Sequence, residues 1–491
     1  MRYDSPVPTY HVENFGCRAT QADGAALERQ FETRGLARAS AAQADLVILN
    51  TCTVTNSADQ DARAAIRRVR RQNPMARIIV TGCYAQRAPQ EISALPGVSC
   101  VIGNSHKHQL AEIVLDDATT RPGAFVHLDT LVLSGQRTAA NDQRPLFVSD
   151  IFAHTELLAA PVFDAGSYES DRTRPNLKVQ DGCDNRCSFC VIPSVRGRSR
   201  SLPLPQIVRE VNSLVAAGYR EVVISGINLG RWGRDLAAGS GLWASGFGTI
   251  QSVHASKPEG RGPKPVFESL IHSILDQTQL EKLRISSVEP MDWSDELIGL
   301  VASSPRIAKH AHVPLQSGSD AVLRRMHRKY RPWHYREKIE KNRAAMPTAA
   351  IGADVMAGFP GETDAEFEAT RRLIAELPFT YLHVFTYSAR PGTPAASVPN
   401  QVPAQIARER NRILRDLASE KKLAFMQSFV DKTLQAITLN LIRSGPEGEF
   451  TEALTDNYQK LHLKGRHEAN RWITVHIEGF DGAGLVGKLA S

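Results

Sequence analysis

From Arg174 to about Pro399 one unit repeats (apolar strand, loop, amphipathic helix), and that repetition leaves few folds open. The strands read Leu177 to Val179, Glu221 to Ile224, Lys282 to Ser286, Ala311 to Pro314, Ile351 to Met356 and Tyr381 to Thr386. Helices fall near 205–217, 267–277, 294–303, 319–343 and 364–376. Strands joined by helical crossovers predict a parallel sheet, and right-handed crossovers coil six of them into a partial (β/α)6 barrel. Functional groups then gather in the loops that follow the strands.

The loop after the first strand carries Cys183, Cys187 and Cys190 in a C-x3-C-x2-C spacing. Three thiolates on one tight loop can hold three irons of a cubane, whereas a fully ligated [4Fe–4S] cluster needs four protein ligands. One iron would be left open, and an open position marks a catalytic metal site. A structural zinc knuckle or buried thiols is the alternative on spacing alone. Zinc sites usually add a second C-x2-C or a His pair, and none follows here.

The amino-terminal third also alternates strands and helices. Strands at Tyr10 to Phe15, Asp45 to Asn50 and Arg77 to Thr81 alternate with helices at about Gln21 to Thr33 and Ala58 to Arg71. This pattern predicts a small parallel sheet covered by helices. Cys17, Cys52 and Cys83 each come just past a strand, the edge where open α/β sheets bind ligands. They are far apart in sequence, so only the fold can unite them, and a second three-cysteine metal site is the reading. Cys100 reads as an ordinary buried strand residue.

The ends and interruptions are plainer. Residues 116–172 read as an irregular connector, with a hairpin around Phe125 to Val132. Residues 237–265, rich in Gly, Ser, Ala and Pro, read as an insertion on the rim of the central domain. A basic helix at about 402–427 leads to short strands between Thr433 and Leu489, which predict a small β-barrel. The chain thus divides into 8–115, the connector 116–172, 173–405 and 426–491.

Composition excludes some classes. At 491 residues, 42% hydrophobic and 23% charged, the chain is an ordinary globular one. Seven cysteines without a secretion signal argue against a disulfide framework. No run approaches the roughly 18 apolar residues of a membrane span, so a soluble cytoplasmic protein is expected. The net charge of +7 suits an anionic partner such as nucleic acid.

The motif around Phe189 resembles the C-x3-C-x-aromatic-C signature of the radical S-adenosylmethionine (SAM) superfamily. Gly16-Cys17, Asn50 to Thr55 (NTCTVT) and Thr81 to Gln86 (TGCYAQ) resemble the auxiliary-cluster domain of its methylthiotransferase family. Ala19-Thr20 departs from that family, which commonly has an asparagine shortly after the first cysteine. The resemblance implies two [4Fe–4S] clusters, one on Cys17, Cys52 and Cys83 and one on Cys183, Cys187 and Cys190. It implies that the open iron of the latter binds SAM and cleaves it to a 5′-deoxyadenosyl radical. The auxiliary cluster would carry a sulfide methylated by another SAM, to be transferred after hydrogen abstraction. Phe189, Gly226, Asn228, Glu289, Gln316 and Gly358, all on strand-end loops, resemble SAM-binding positions. Thr363 and Glu366 also give the last of these loops a structural reason, a capping box.

Arg196, Arg198 and Arg200 follow the cluster loop and are candidate RNA contacts, while Arg324, Arg325, Arg328, Lys329 and Arg331 read as a solvated helix face. The terminal strands resemble the TRAM RNA-binding barrel, with Tyr458 a candidate for base stacking or, more simply, a core tyrosine. Within the family, NTCTVT, RGRSRS (Arg196 to Ser201) and GRWGRDL (Gly230 to Leu236) resemble the branch acting on threonylcarbamoyladenosine at position 37 of tRNA. The implied partners are tRNA and an electron donor such as flavodoxin or ferredoxin, with no DNA. The alternatives are the isopentenyladenosine or ribosomal-protein branches, or a non-catalytic zinc RNA-binding protein.

Overall fold

A computed structural model describes residues 7–116, 144–154, 157, 173–236, 266–445 and 448–490. The hairpin expected at Phe125 to Val132 and the 237–265 insertion lie outside the described residues.

The amino-terminal sheet contains β1 (Thr9–Asn14), β2 (Ala37–Arg38), β3 (Leu46–Thr51), β4 (Arg77–Gly82), β5 (Val98–Gly103) and β6 (Leu146–Phe147). Its order is β2-β1-β3-β4-β5-β6, with every pairing parallel. Both faces are buried, one against Ala62, Ile66 and Val69, the other against Leu27 and Phe31. That is why β3 reads as an unbroken apolar run instead of an alternating one. Cys100 sits in β5 as an ordinary core residue. Part of the expected connector does more than connect, because its β6 adds the sixth strand to this sheet.

The central domain carries β7 (Asn176–Asp181), β8 (Arg200–Ser201), β9 (Glu221–Gly226), β10 (Lys282–Ile285), β11 (His310–His312), β12 (Ala350–Ala357) and β13 (Tyr381–Thr386). Two hydrogen-bonded groups, β10-β9-β7-β8 and β11-β12-β13, are joined by parallel bridges Leu283–Ile307 and Ser287–His312. The six parallel strands thus run β7-β9-β10-β11-β12-β13 as an open, partly closed barrel. One expected helix is two. Pro332 begins the helix Pro332–Ala345, and the residue before it, Arg331, is extended at φ −125° and ψ 164°. A residue before proline avoids the helical region, so the helix Asp320–Arg325 stops short and residues 326–331 form a loop.

The helix Ala404–Gln427 leads into β14 (Thr433–Gly445), β15 (Gly448–Thr455), β16 (Lys460–Lys464), β17 (Trp472–Phe480) and β18 (Leu485–Leu489). These close into a barrel in the order β14-β15-β16-β18-β17.

The outer domains complete the open barrel. The amino-terminal domain covers its lateral gap, touching the first strand through Asp23 to Lys178 and the segment after the last through Asn56 N–H to Ser388 Oγ (3.1 Å). The terminal barrel caps the end where the strands begin. There Lys282 pairs with Asp456 at 3.1 Å, and Asn457 Nδ2 donates to Thr348 O at 2.9 Å.

Candidate active site

Strand register explains how three distant cysteines meet. Asn14 pairs with Asn50, and Asn50 with Thr81, so β1, β3 and β4 end in line and Cys17, Cys52 and Cys83 follow at one sheet edge. Gly16 and Gly82, before the first and last of these cysteines, are both at φ +101°, and neither has room for a side chain. A Cβ on Gly16 would lie 2.5 Å from Cys52 Cβ, and one on Gly82 would lie 2.3 Å from Thr51 O. Gly82→Ala combines backbone strain with a clash on main chain, costing about 1–3 kcal/mol for the strain alone. We expect it to shift Cys83 and lower iron bound per chain. Iron analysis of the purified variant checks this, and unchanged iron would refute it.

Around this triad the sulfurs are held by polar contacts. Asn104 Nδ2 donates to Cys83 Sγ (3.5 Å) and to Val195 O (2.7 Å), tying the loop to the helix Ile192–Arg196. Val54 N–H donates to Cys52 Sγ at 3.5 Å. Burial pushes the Cys52 thiol up to about 12, with Cys83 and Cys17 adding to the effect. Cys17 and Cys83 therefore both act on Cys52, the middle thiol of the three.

The second triad sits on a tight loop after β7, where Cys183 N–H donates to Gly197 O and Cys190 N–H to Cys187 O, both at 3.1 Å. Burial raises Cys190 to about 12 and raises Cys183 as well. Donors aim at the sulfurs: Asn185 N–H (3.4 Å) and Asn228 Nδ2 (3.6 Å) at Cys183, and Arg328 Nη1 (3.3 Å) at Cys187. Hydrogen bonds to cluster sulfurs are a main control of reduction potential.

One cavity of about 830 Å³ joins the halves, lined by Cys17 from the first triad and by Cys183, Cys187 and Cys190 from the second. Phe189, Gly226, Asn228, Glu289 and Gln316 line it too. Gly358 does not. Its φ of +76° turns the chain closely over Ala407, and its N–H donates to Glu362 Oε2 at 2.8 Å, so it serves helix packing. The capping box of Thr363 and Glu366 beyond it is present.

The arginines need reassignment. Arg196, expected to meet RNA, is 2% exposed and grips Asp181 and Asp23 at 3.0 Å. Arg200 is also buried, donating to His154 O. Only Arg198 of the three is exposed. Arg328, expected on a solvated face, is buried where the helix breaks, and spans Cys187 and Glu289. The helix expected over 319–343 runs through Pro332, the signal for the break, and so hides this position.

A buried ion network joins the amino-terminal and central domains. Asp23 meets Lys107 (3.0 Å), Lys178 and Arg196, and Lys178 also meets Asp181 (2.8 Å). Burial pushes the Asp23 and Asp181 carboxyls up, but the surrounding cations outweigh it and hold both well below the usual carboxylate range. Across the gap, Arg87 and Arg390 converge on Asp59 and on Thr53, the neighbour of Cys52.

The site fits the groups its cysteines imply. Among the described residues no three His, Cys, Asp or Glu side chains converge on a single metal ion. A cubane spreads its thiolates over separate irons, so it asks for wider triads than one ion does. Around the second triad Ser225 Oγ, Asn228 Oδ1 and Gln316 Oε1 are buried without partners and belong to cavity-lining residues. Those atoms suit a polar ligand such as SAM.

A partial barrel with three cysteines after its first strand is the architecture of a radical SAM protein, and residues 177–374 match the model of the Radical SAM superfamily. Residues 9–103 match that of the uncharacterized protein family UPF0004. A solved structure of the radical SAM methyltransferase TsrM from Kitasatospora setae shares the fold, with a TM-score of 0.50 and 17% identity, covering 80% of this chain and 77% of that one. The threonylcarbamoyladenosine tRNA methylthiotransferase MtaB of Bacillus subtilis is 34% identical, over 94% of this chain and 91% of its own. The tRNA-2-methylthio-N(6)-dimethylallyladenosine synthase of Novosphingobium aromaticivorans is 31% identical, over 98% and 97%. The chain belongs to the radical SAM methylthiotransferase family. Proteins of this family use SAM and carry two [4Fe–4S] clusters.

Proposed function

We propose that this protein is a tRNA methylthiotransferase that converts N6-threonylcarbamoyladenosine at position 37 to its 2-methylthio derivative. The observation that carries this reading is the shared cavity, where Cys17 faces the same space as Cys183, Cys187 and Cys190. Cys17, Cys52 and Cys83 would hold one [4Fe–4S] cluster, and Cys183, Cys187 and Cys190 the other. Bound there, the clusters and SAM supply radical hydrogen abstraction and sulfur transfer.

The protein's own residues position and exclude. Phe189, Gly226, Asn228, Glu289 and Gln316 frame the SAM side. Arg328 holds Glu289 against Cys187, offsetting two negative groups with one cation. Radical abstraction needs no general base. Burial pushes His310 and His383 below their ordinary range, so neither imidazole adds positive charge to the cavity. A donor such as flavodoxin or ferredoxin brings the electron. Arg198 and the TRAM-like barrel present cationic and polar surface to the tRNA. Among the described residues no helix is long and apolar enough to cross a membrane.

The test is expression in a host lacking its own methylthiotransferases, followed by mass spectrometry of digested tRNA. The expected result is a methylthio group on threonylcarbamoyladenosine. The same group on isopentenyladenosine would overturn the substrate, and unchanged tRNA would overturn the reaction.

A further inference from the structure

The cavity has two chemically distinct ends. Thiols and loop backbone line one, while the other, among the strand starts, holds Arg18, Arg284, His310, Asp354, Tyr381 and Tyr458. Nearly all of these groups are already engaged. Arg284 is fully buried, with Nε 2.6 Å from Glu221 and further bonds to the carbonyls of Thr455 and Asp456. His310 Nε2 lies 2.7 Å from Tyr381 Oη. Asp354, the carboxylate of this end, lies 3.4 Å from His312.

Arg18 differs. Its Nη2 donates to Tyr458 Oη at 3.3 Å, and among the described residues no carboxylate forms an ion pair with it. Its charge reaches the interior, where it helps hold His310 and His383 neutral after burial has pushed them down. At this end of the site Arg174, Arg284, Lys282 and Arg18 stand against Glu221, Asp456 and Asp354, a surplus of one positive charge. A guanidinium presents a fork of donors matched to a carboxylate, and this one faces a cavity already meant for a ligand.

We propose that Arg18 recognises a carboxylate on the N6 substituent of the substrate base, and thereby selects an amino-acid-bearing adenosine over one with an uncharged alkyl group. This rests on the reading of the site given above. Arg18 directly follows Cys17, so a base held beside Cys17 for transfer lies within reach of its guanidinium. The neutral imidazoles and phenols around it offer bonds to hydroxyl and carbamoyl groups without competing for the charge. An alkyl substituent would leave the guanidinium desolvated and unpaired, which is how a polar site rejects an apolar analogue. Tyr458 is a positioning residue. It enters from the terminal barrel at φ +66°, its ring 4.5 Å from His310, and fixes Arg18 from below. The terminal barrel thereby contributes to specificity as well as to closure.

The experiment measures equilibrium binding of labelled anticodon stem-loops to the anaerobically purified, cluster-loaded full chain. Three stem-loops differ only at the modified base: threonylcarbamoyladenosine, its carboxamide counterpart and isopentenyladenosine. The wild type should bind the carboxylate about ten- to a hundredfold tighter than the carboxamide, the range of one charge-assisted bond. Arg18→Gln, at matched iron content, should bind the two alike, and Arg18→Lys should recover part of the difference because it restores charge without the fork. Discrimination that survives in Arg18→Gln overturns the role of Arg18 and leaves the substrate reading standing. Wild-type preference for isopentenyladenosine overturns the substrate reading itself, and this proposal with it.

Discussion

Replacing Cys187 with alanine is expected to abolish reductive cleavage of SAM and to halve bound iron, from about eight to about four per chain, while the fold stays in place. The local structure supports that separation. The loop is held by main-chain bonds, Cys183 N–H to Gly197 O and Cys190 N–H to Cys187 O, which do not involve the lost sulfur. Arg328 loses one acceptor but keeps Glu289 and Tyr330. The other triad lies in a different domain, on a different sheet edge, and should retain its share of iron. The measurement is 5′-deoxyadenosine released under reducing conditions, alongside iron and labile sulfide. Deoxyadenosine at wild-type levels would show that these cysteines do not hold the SAM-cleaving cluster. Loss of all iron would instead show that the triads do not fill independently.

How much of this was legible follows from how local each signal is. The strands around Leu177, Val223 and Ile351 announce themselves by short apolar runs between turns, and cysteines punctuate strand ends. The partial barrel and both triads could therefore be read without coordinates. What could not be read depends on pairs distant in sequence. Arg196 looks like a phosphate contact in RGRSRS, and only the packing of the helix Arg18–Glu32 against β7 supplies the Asp23 that buries it. Gly358 sits in a loop suited to a cofactor, and only the last helix, bringing Ala407 close, explains its missing side chain. Arg328 is separated from Cys187 by more than a hundred residues. Tyr458 belongs to another domain altogether. Arg18 carried a local clue, since it follows a predicted ligand directly, but adjacency alone does not say where a side chain points.

The second large effect concerns the seam between domains. Lys107, Lys178 and Arg196 meet Asp23 and Asp181 in a buried seam, three cations against two carboxylates. Asp23 contacts all three cations and is 2% exposed, so removing it leaves uncompensated buried charge. Breaking a buried ion pair from one side costs about 3–5 kcal/mol. Asp23→Asn should accordingly lower the thermal midpoint at neutral pH, measured at matched iron content. The pH dependence follows from the direction of the shift. Both carboxyls titrate far below the unfolded value of about 4, so their contribution is complete above that pH and lost as acidification proceeds toward their folded values. The gap between wild type and Asp23→Asn should therefore be widest at neutral pH and narrow as the solution is taken below about pH 4. A gap that did not change with pH would assign the loss to packing instead of charge. Equal midpoints at neutral pH would mean that water enters the seam and screens it. Because the seam joins the domains that carry the two triads, the variant should also lose transfer more than SAM cleavage, as cleavage needs one triad and transfer needs both in register.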